Sequence, residues 1–86
     1  MEKLKWKKAS EELPKNDEDI LLKYWRGKNA EDIDVEVAFF CCNRFMITDE
    51  IEFTTDGIPS WDIECEYGRY NLLWVSLSDV LNLIEE

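Results

Sequence analysis

The stretch Ile33-Asp34-Val35-Glu36-Val37-Ala38-Phe39-Phe40-Cys41-Cys42-Asn43-Arg44-Phe45-Met46-Ile47 decides the fold. Ile33, Val35, Val37, Phe39 and Cys41 fall at every second position with Asp34 and Glu36 between them, the period of a strand with one buried face. The apolar run resumes at Phe45, Met46 and Ile47 after Cys42 and Asn43, so the chain is expected to double back there as a hairpin. On this pattern the odd positions face the core, and Asp34 and Glu36 face solvent.

Working outward, Trp61, Ile63, Cys65 and Tyr67 alternate with Asp62, Glu64 and Glu66 and predict a second strand of the same kind. Leu72 to Leu77 is a mostly apolar run around Trp74 and predicts a central strand. Ser78 can cap a short helix carrying Val80, Leu81 and Ile84. Ile20 to Trp25 reads as another strand, followed by turn residues Arg26, Gly27, Lys28 and Asn29. Leu4 and Trp6, alternating with lysines, suit a short edge strand whose charges discourage aggregation. Between them, Ala9 to Asp19 is a polar loop with Leu13 as its apolar anchor and Pro14 turning the chain. Ile51 and Phe53 alternate with Glu52 but run into a turn at Asp56-Gly57. The expected fold is α+β, mainly β: a small antiparallel sheet of about five or six strands with a short C-terminal helix.

Eighty-six residues allow one domain, residues 1–86, with one modest core. Four Trp, four Phe and three Tyr provide bulk for that core, with Trp6, Trp61 and Trp74 as expected anchors. At 45% hydrophobic residues the chain is too apolar for a disordered acidic tail, despite a net charge of −10. The charge is uneven. Four lysines crowd the first eight residues, and from Ala9 onward six Lys or Arg face nineteen Asp or Glu, a balance of −13. Such a body repels phosphate backbones and anionic lipid headgroups, so neither nucleic acid nor a membrane is the expected partner, whereas a basic protein is attracted. An acidic surface also serves solubility alone.

No apolar run approaches the roughly 20 residues of a membrane span, and the lysine-rich start lacks the apolar segment of a signal peptide, which points to the cytoplasm. Cys41, Cys42 and Cys65 form no C-x-x-C pair, and no histidine is present to complete a common zinc site. Reduced thiols are expected, with Cys41 and Cys65 as small buried hydrophobes, and no cofactor is expected.

Trp6 followed after six residues by Leu13-Pro14, then Ile20-Leu21-Leu22, Val37-Ala38-Phe39-Phe40 and Trp74-x-x-Leu77, resembles the short phage and prophage family called domain of unknown function 551. Leu73 stands where that family has a histidine before the tryptophan, and Ser76 and Ser78 replace two prolines. The resemblance implies a phage or prophage origin, hence a bacterial host cell, and a small sheet-rich fold. It implies no reaction.

The chemistry available is sparse. Without histidine, Ser-His and Cys-His nucleophiles are excluded, and the three glycines form no phosphate loop. Carboxylates two apart on a strand are separated by roughly 6.6 Å, a spacing used by glycosidases, yet every acidic amphipathic strand has it. Asp32-x-Asp34-x-Glu36 has Val37 where a calcium loop needs glycine. A non-enzymatic domain is therefore expected. If the Ile33 and Trp61 strands share a sheet, Asp34, Glu36, Asp62, Glu64 and Glu66 project from one side as a rigid negative array. A fixed row of carboxylates can occupy the groove in which a nucleic-acid enzyme tracks phosphates, as an anti-CRISPR-like mimic would. The alternative is a small self-associating structural or assembly module, a homodimer docking through aromatics such as Tyr24, Trp25, Phe40, Tyr67 and Tyr70.

Overall fold

A computed structural model describes residues 5–26, 33–48, 50–61 and 69–85, with the side chains of 83–85 excepted. The described elements are β1 (Lys7–Lys8), β2 (Glu18–Arg26), β3 (Asp34–Cys41), β4 (Arg44–Met46), β5 (Glu52–Thr54), β6 (Tyr70–Ser76) and α1 (Leu77–Glu85). All six strands join one antiparallel sheet in the order β1-β6-β2-β3-β4-β5. The fold is thus α+β and mainly β, as the alternation predicts. The expected strand from Trp61 to Tyr67 lies outside the described residues except for Trp61, which sits in a turn. Glu52–Thr54, where the pattern is equivocal beside the Asp56-Gly57 turn, is a strand.

The hairpin between β3 and β4 forms where the sequence places it. Cys42 and Asn43 have φ of 56° and 60°, so the two strands are joined by a two-residue turn with both central residues left-handed. That twist matches the twist of the flanking strands. Ile20 pairs with Ala38, Phe40 with Phe45, and Phe45 with Phe53 across four adjacent strands. Directly opposed residues share a face, so this register fixes which side of β3 is buried.

It is the even side. Ala38 and Phe40 are buried with Ile20, Leu22, Phe45, Phe53, Leu72 and Trp74, while Val35 and Val37 are 48% and 58% exposed. The expectation that Ile33, Val35, Val37, Phe39 and Cys41 form the buried set is therefore corrected, and Cys41 is half-buried. Alternation shows that a strand has two different faces, but the neighbouring rows decide which one meets the core. Ile20, Leu22, Phe45 and Phe53 stand at positions that face the even side of β3.

The sheet curls around this core. The Tyr70 N–H donates to the Gly57 carbonyl at 2.9 Å, so the turn after β5 meets the start of β6, although the two strands are far apart in the sheet order. Trp74 anchors the N-terminal loop by donating its indole N–H to the Glu12 carbonyl at 2.8 Å. Within that loop Pro14 is buried and Leu13 is 43% exposed, which reverses the anchoring role expected of Leu13. On the opposite face, Val75 is buried and pairs in register with Leu21, and α1 packs across β2 and β6. The helix begins at Leu77, two residues earlier than a cap at Ser78 requires. Ser76 therefore precedes it, with its hydroxyl 2.9 Å from that of Ser78.

Candidate functional site: an acid-edged aromatic cluster

The inverted phase of β3 places Asp34 and Glu36 on the core-side face of the sheet. Asp34 lies opposite Tyr24 and Glu36 opposite Leu22 in the β2–β3 register, and both carboxylates are exposed. Further along the same face, Ala38 and Phe40 are covered. The two acids thus mark the margin at which the buried face of β3 opens to solvent.

Aromatic rings fill the space beside them. Tyr24 and Phe53 have centroids 5.1 Å apart, Phe53 and Tyr70 5.0 Å, and Tyr24 and Tyr70 6.1 Å, all at tilted angles. Trp61 meets Phe53 and Tyr70 edge-on at 5.5 and 6.1 Å. These are the offset and edge-to-face arrangements that ring quadrupoles favour. Phe53 is fully buried beneath the cluster, Tyr24 and Tyr70 are partly covered, and Trp61 is 54% exposed.

Tyr24 joins the acids to the rings. Its hydroxyl donates to Glu36 Oε2 at 2.6 Å, a charge-assisted bond in length. Burial raises the ionisation of this phenol far above its ordinary range, and the Glu36 hydrogen bond and the negative charges of Glu36 and Asp34 push the same way. The hydroxyl accordingly stays protonated and holds Glu36 in a defined orientation. Exposed carboxylates beside electron-rich ring faces present a surface to which a cation is drawn by both.

Asp34 and Glu36 come together with Tyr24 and Tyr70, two of the aromatics expected at a docking surface. Asp62, Glu64 and Glu66, and also Tyr67, lie outside the described residues. Of the other expected docking aromatics, Phe40 is buried in the core and Trp25 is half-buried on the opposite side of β2 from Tyr24. Trp61, expected as a core anchor, is instead exposed at the rim of the cluster, and its meeting with Phe53 depends on the curl of the sheet. The Tyr24–Glu36 bond spans twelve residues and follows only from the β2–β3 register.

Elsewhere the described residues offer little that resembles an active site. A groove of about 560 Å³ runs beside β6, lined by Lys8, Trp25, Asp56, Arg69 and Asn71 among others. Among the described residues of its lining, Asp56 is the one carboxylate. Among the described residues no group of three or more His, Cys, Asp or Glu could hold a metal ion, and no helix is long and apolar enough to cross a membrane. No family model, curated protein or solved structure matches the chain.

Proposed function

We propose that this chain is a non-enzymatic binding domain for a basic protein partner, engaged through the acid-edged aromatic cluster. The observation that carries the proposal is the placement of exposed Asp34 and Glu36 at the rim of the Tyr24, Tyr70 and Trp61 rings. Lys and Arg side chains are recognised by carboxylates through charge and by ring faces through the aromatic quadrupole, and both are supplied here. The −13 balance beyond the first eight residues adds long-range attraction for the same partner.

In its sharper form the partner is a nucleic-acid enzyme of a bacterial host. The domain then acts in the cytoplasm as an acidic, phage-encoded mimic that fills a phosphate-tracking groove, in the manner of anti-CRISPR proteins. Rigidity supports this form: Asp34 and Glu36 sit on a strand paired along seven residues with β2, and Glu36 is further fixed by Tyr24. Carboxylates held at fixed spacing imitate phosphates better than carboxylates on a mobile tail.

The test is capture of host proteins on the immobilised domain at low and high salt, with a variant carrying Asp34→Lys and Glu36→Lys. A basic nucleic-acid enzyme retained at low salt, displaced by competing DNA or RNA, and lost from the variant while its circular dichroism is unchanged is the expected result. Undiminished capture by the folded variant overturns the proposal.

A second reading, self-association as a structural or assembly module, is favoured by a different observation. Val35 and Val37 stand exposed on the outer face of β3, beyond the β2 and β6 strands on which α1 packs. A homodimer formed there would be insensitive to salt.

A further inference from the structure

The β3–β4 turn holds two thiols side by side. Cys41 ends β3 opposite Arg44, Cys42 is the first turn residue, and their sulfurs lie 3.3 Å apart. Asparagine at the second turn position suits the left-handed backbone, whereas a cysteine with φ of 56° at the first is an uncommon choice. The turn is clamped from outside. The Cys42 N–H donates to Asn16 Oδ1 at 3.1 Å, and the Asp17 N–H donates to the Phe40 carbonyl at 2.7 Å. Cys42 is exposed and Cys41 half-buried, so a ligand reaches Cys42 first.

Neighbouring Cα atoms across a trans peptide are about 3.8 Å apart, short of the roughly 4.4 Å minimum of an ordinary disulfide, so direct S–S closure is strained here. A third atom between the sulfurs removes that constraint. With soft-element–thiolate bonds of about 2.3 Å, sulfurs 3.3 Å apart subtend an angle of about 90°. Tetrahedral zinc asks for a wider angle and four ligands, and among the described residues no third His, Cys, Asp or Glu completes such a set. A linear two-coordinate ion needs its sulfurs on opposite sides. A pyramidal, three-coordinate element with bonds near right angles fits, provided that it brings its own third substituent.

We propose that Cys41 and Cys42 form a vicinal dithiol site for trivalent arsenicals of the monosubstituted arsenoxide class. The sulfur of Cys42 attacks arsenic and that of Cys41 closes the ring. Two As–S bonds form, the arsenic–oxygen double bond breaks, and the two thiol protons leave with that oxygen as water. Arsenic stays trivalent and sulfur is not oxidised, so the step needs no oxidant. Hydrogen bonding to Cys42 and to Asp17 holds the Cys41 thiol up at about 11, so it arrives carrying one of the two protons.

The probe is phenylarsine oxide added to the reduced full chain, with intact mass as the readout and glutathione in excess as a monothiol competitor. One adduct per chain, formed with loss of one water, is expected. It should resist glutathione, yield to 2,3-dimercaptopropanol and be unchanged in Cys65→Ser. In Cys42→Ser, whose turn is exposed and whose fold is checked by circular dichroism, one thiol remains at the site. Without the second tether, resistance to glutathione should fall at least about a hundredfold. Wild-type resistance in Cys42→Ser, or loss of the adduct in Cys65→Ser, would overturn the assignment.

Discussion

Replacing Gly57 with alanine should come close to unfolding the domain, although the change adds a single methyl group. Gly57 has a φ of 82°, in the region that glycine enters freely and other residues enter at a cost of about 1–2 kcal/mol. A Cβ built there would lie 2.0 Å from the Tyr70 carbonyl oxygen and 3.0 Å from its carbonyl carbon. Both are backbone atoms of β6, which is paired along its length with β2, so neither can swing aside as a side chain would. Relief requires the turn to withdraw from β6, which breaks the Tyr70 N–H bond to the Gly57 carbonyl and forfeits about another 1 kcal/mol. Together the loss is roughly 2–3 kcal/mol before any loosening of the Phe53–Tyr70 contact, against about 3–5 kcal/mol available to a domain of this size. Urea unfolding followed by tryptophan fluorescence measures it directly. A loss below about 0.5 kcal/mol, the range of a neutral surface change, would mean that the turn does not close on β6.

Three further perturbations test the fold and its site. Tyr24 has a folded-state ionisation above its unfolded value near 10, so its contribution is fully present below that pH and is lost as pH rises through the folded value. Urea midpoints at about pH 8 and about pH 11 should therefore differ more in the wild type than in Tyr24→Phe, and equal differences would refute the assignment. Trp74→Phe removes the indole bond to the Glu12 carbonyl and weakens the stacking of Lys7, 4.7 Å from the ring, and should cost about 2 kcal/mol. Faster amide exchange in the 10–16 loop would accompany it. Phe45→Ala empties a fully buried position at the centre of three strands and should cost about 3–5 kcal/mol, enough to leave no cooperative thermal transition.

The sequence carried more of the topology than of the facing. The alternation from Ile33, the Cys42-Asn43 reversal and the apolar run around Trp74 each point to a strand or a turn that the structure contains. The burial of β3 could not be read from its own residues, because Val35-Val37 and Ala38-Phe40 offer two apolar sets and only the latter meets Ile20 and Phe45 across the ladder. Burial is a property of a pair of strands, and single-strand alternation is silent about register. The same limit hid the site. Asp34 and Glu36 were recognisable as exposed acids, but their position beside Tyr24, Tyr70 and Trp61 follows from register and from a curl closed by one backbone bond at Gly57. Leu13 and Pro14 show a smaller version of this effect. Either could anchor the loop, and the indole of Trp74 ties its neighbour Glu12 in a way that leaves Pro14 buried and Leu13 outside.

The inversion also separates the two proposed functions onto opposite faces of one strand. Asp34 and Glu36 look toward the core side and the aromatic rim, whereas Val35 and Val37 look outward. Substitutions two residues apart along β3 can therefore test one function without touching the other. Val35→Thr with Val37→Thr keeps β-branched side chains that suit a strand and replaces exposed methyl groups with hydroxyls, so the fold should survive. A charge-led binding domain would keep its salt-sensitive partner in this variant and lose it in Asp34→Lys with Glu36→Lys. A self-associating module would reverse the pattern: the threonine pair would shift a dimer to monomer in light scattering, and the lysine pair would leave the dimer intact. Loss of partner capture in the threonine pair alone would refute the acid-edged cluster as the contact surface, because those valines lie on the other side of the sheet from every ring in it.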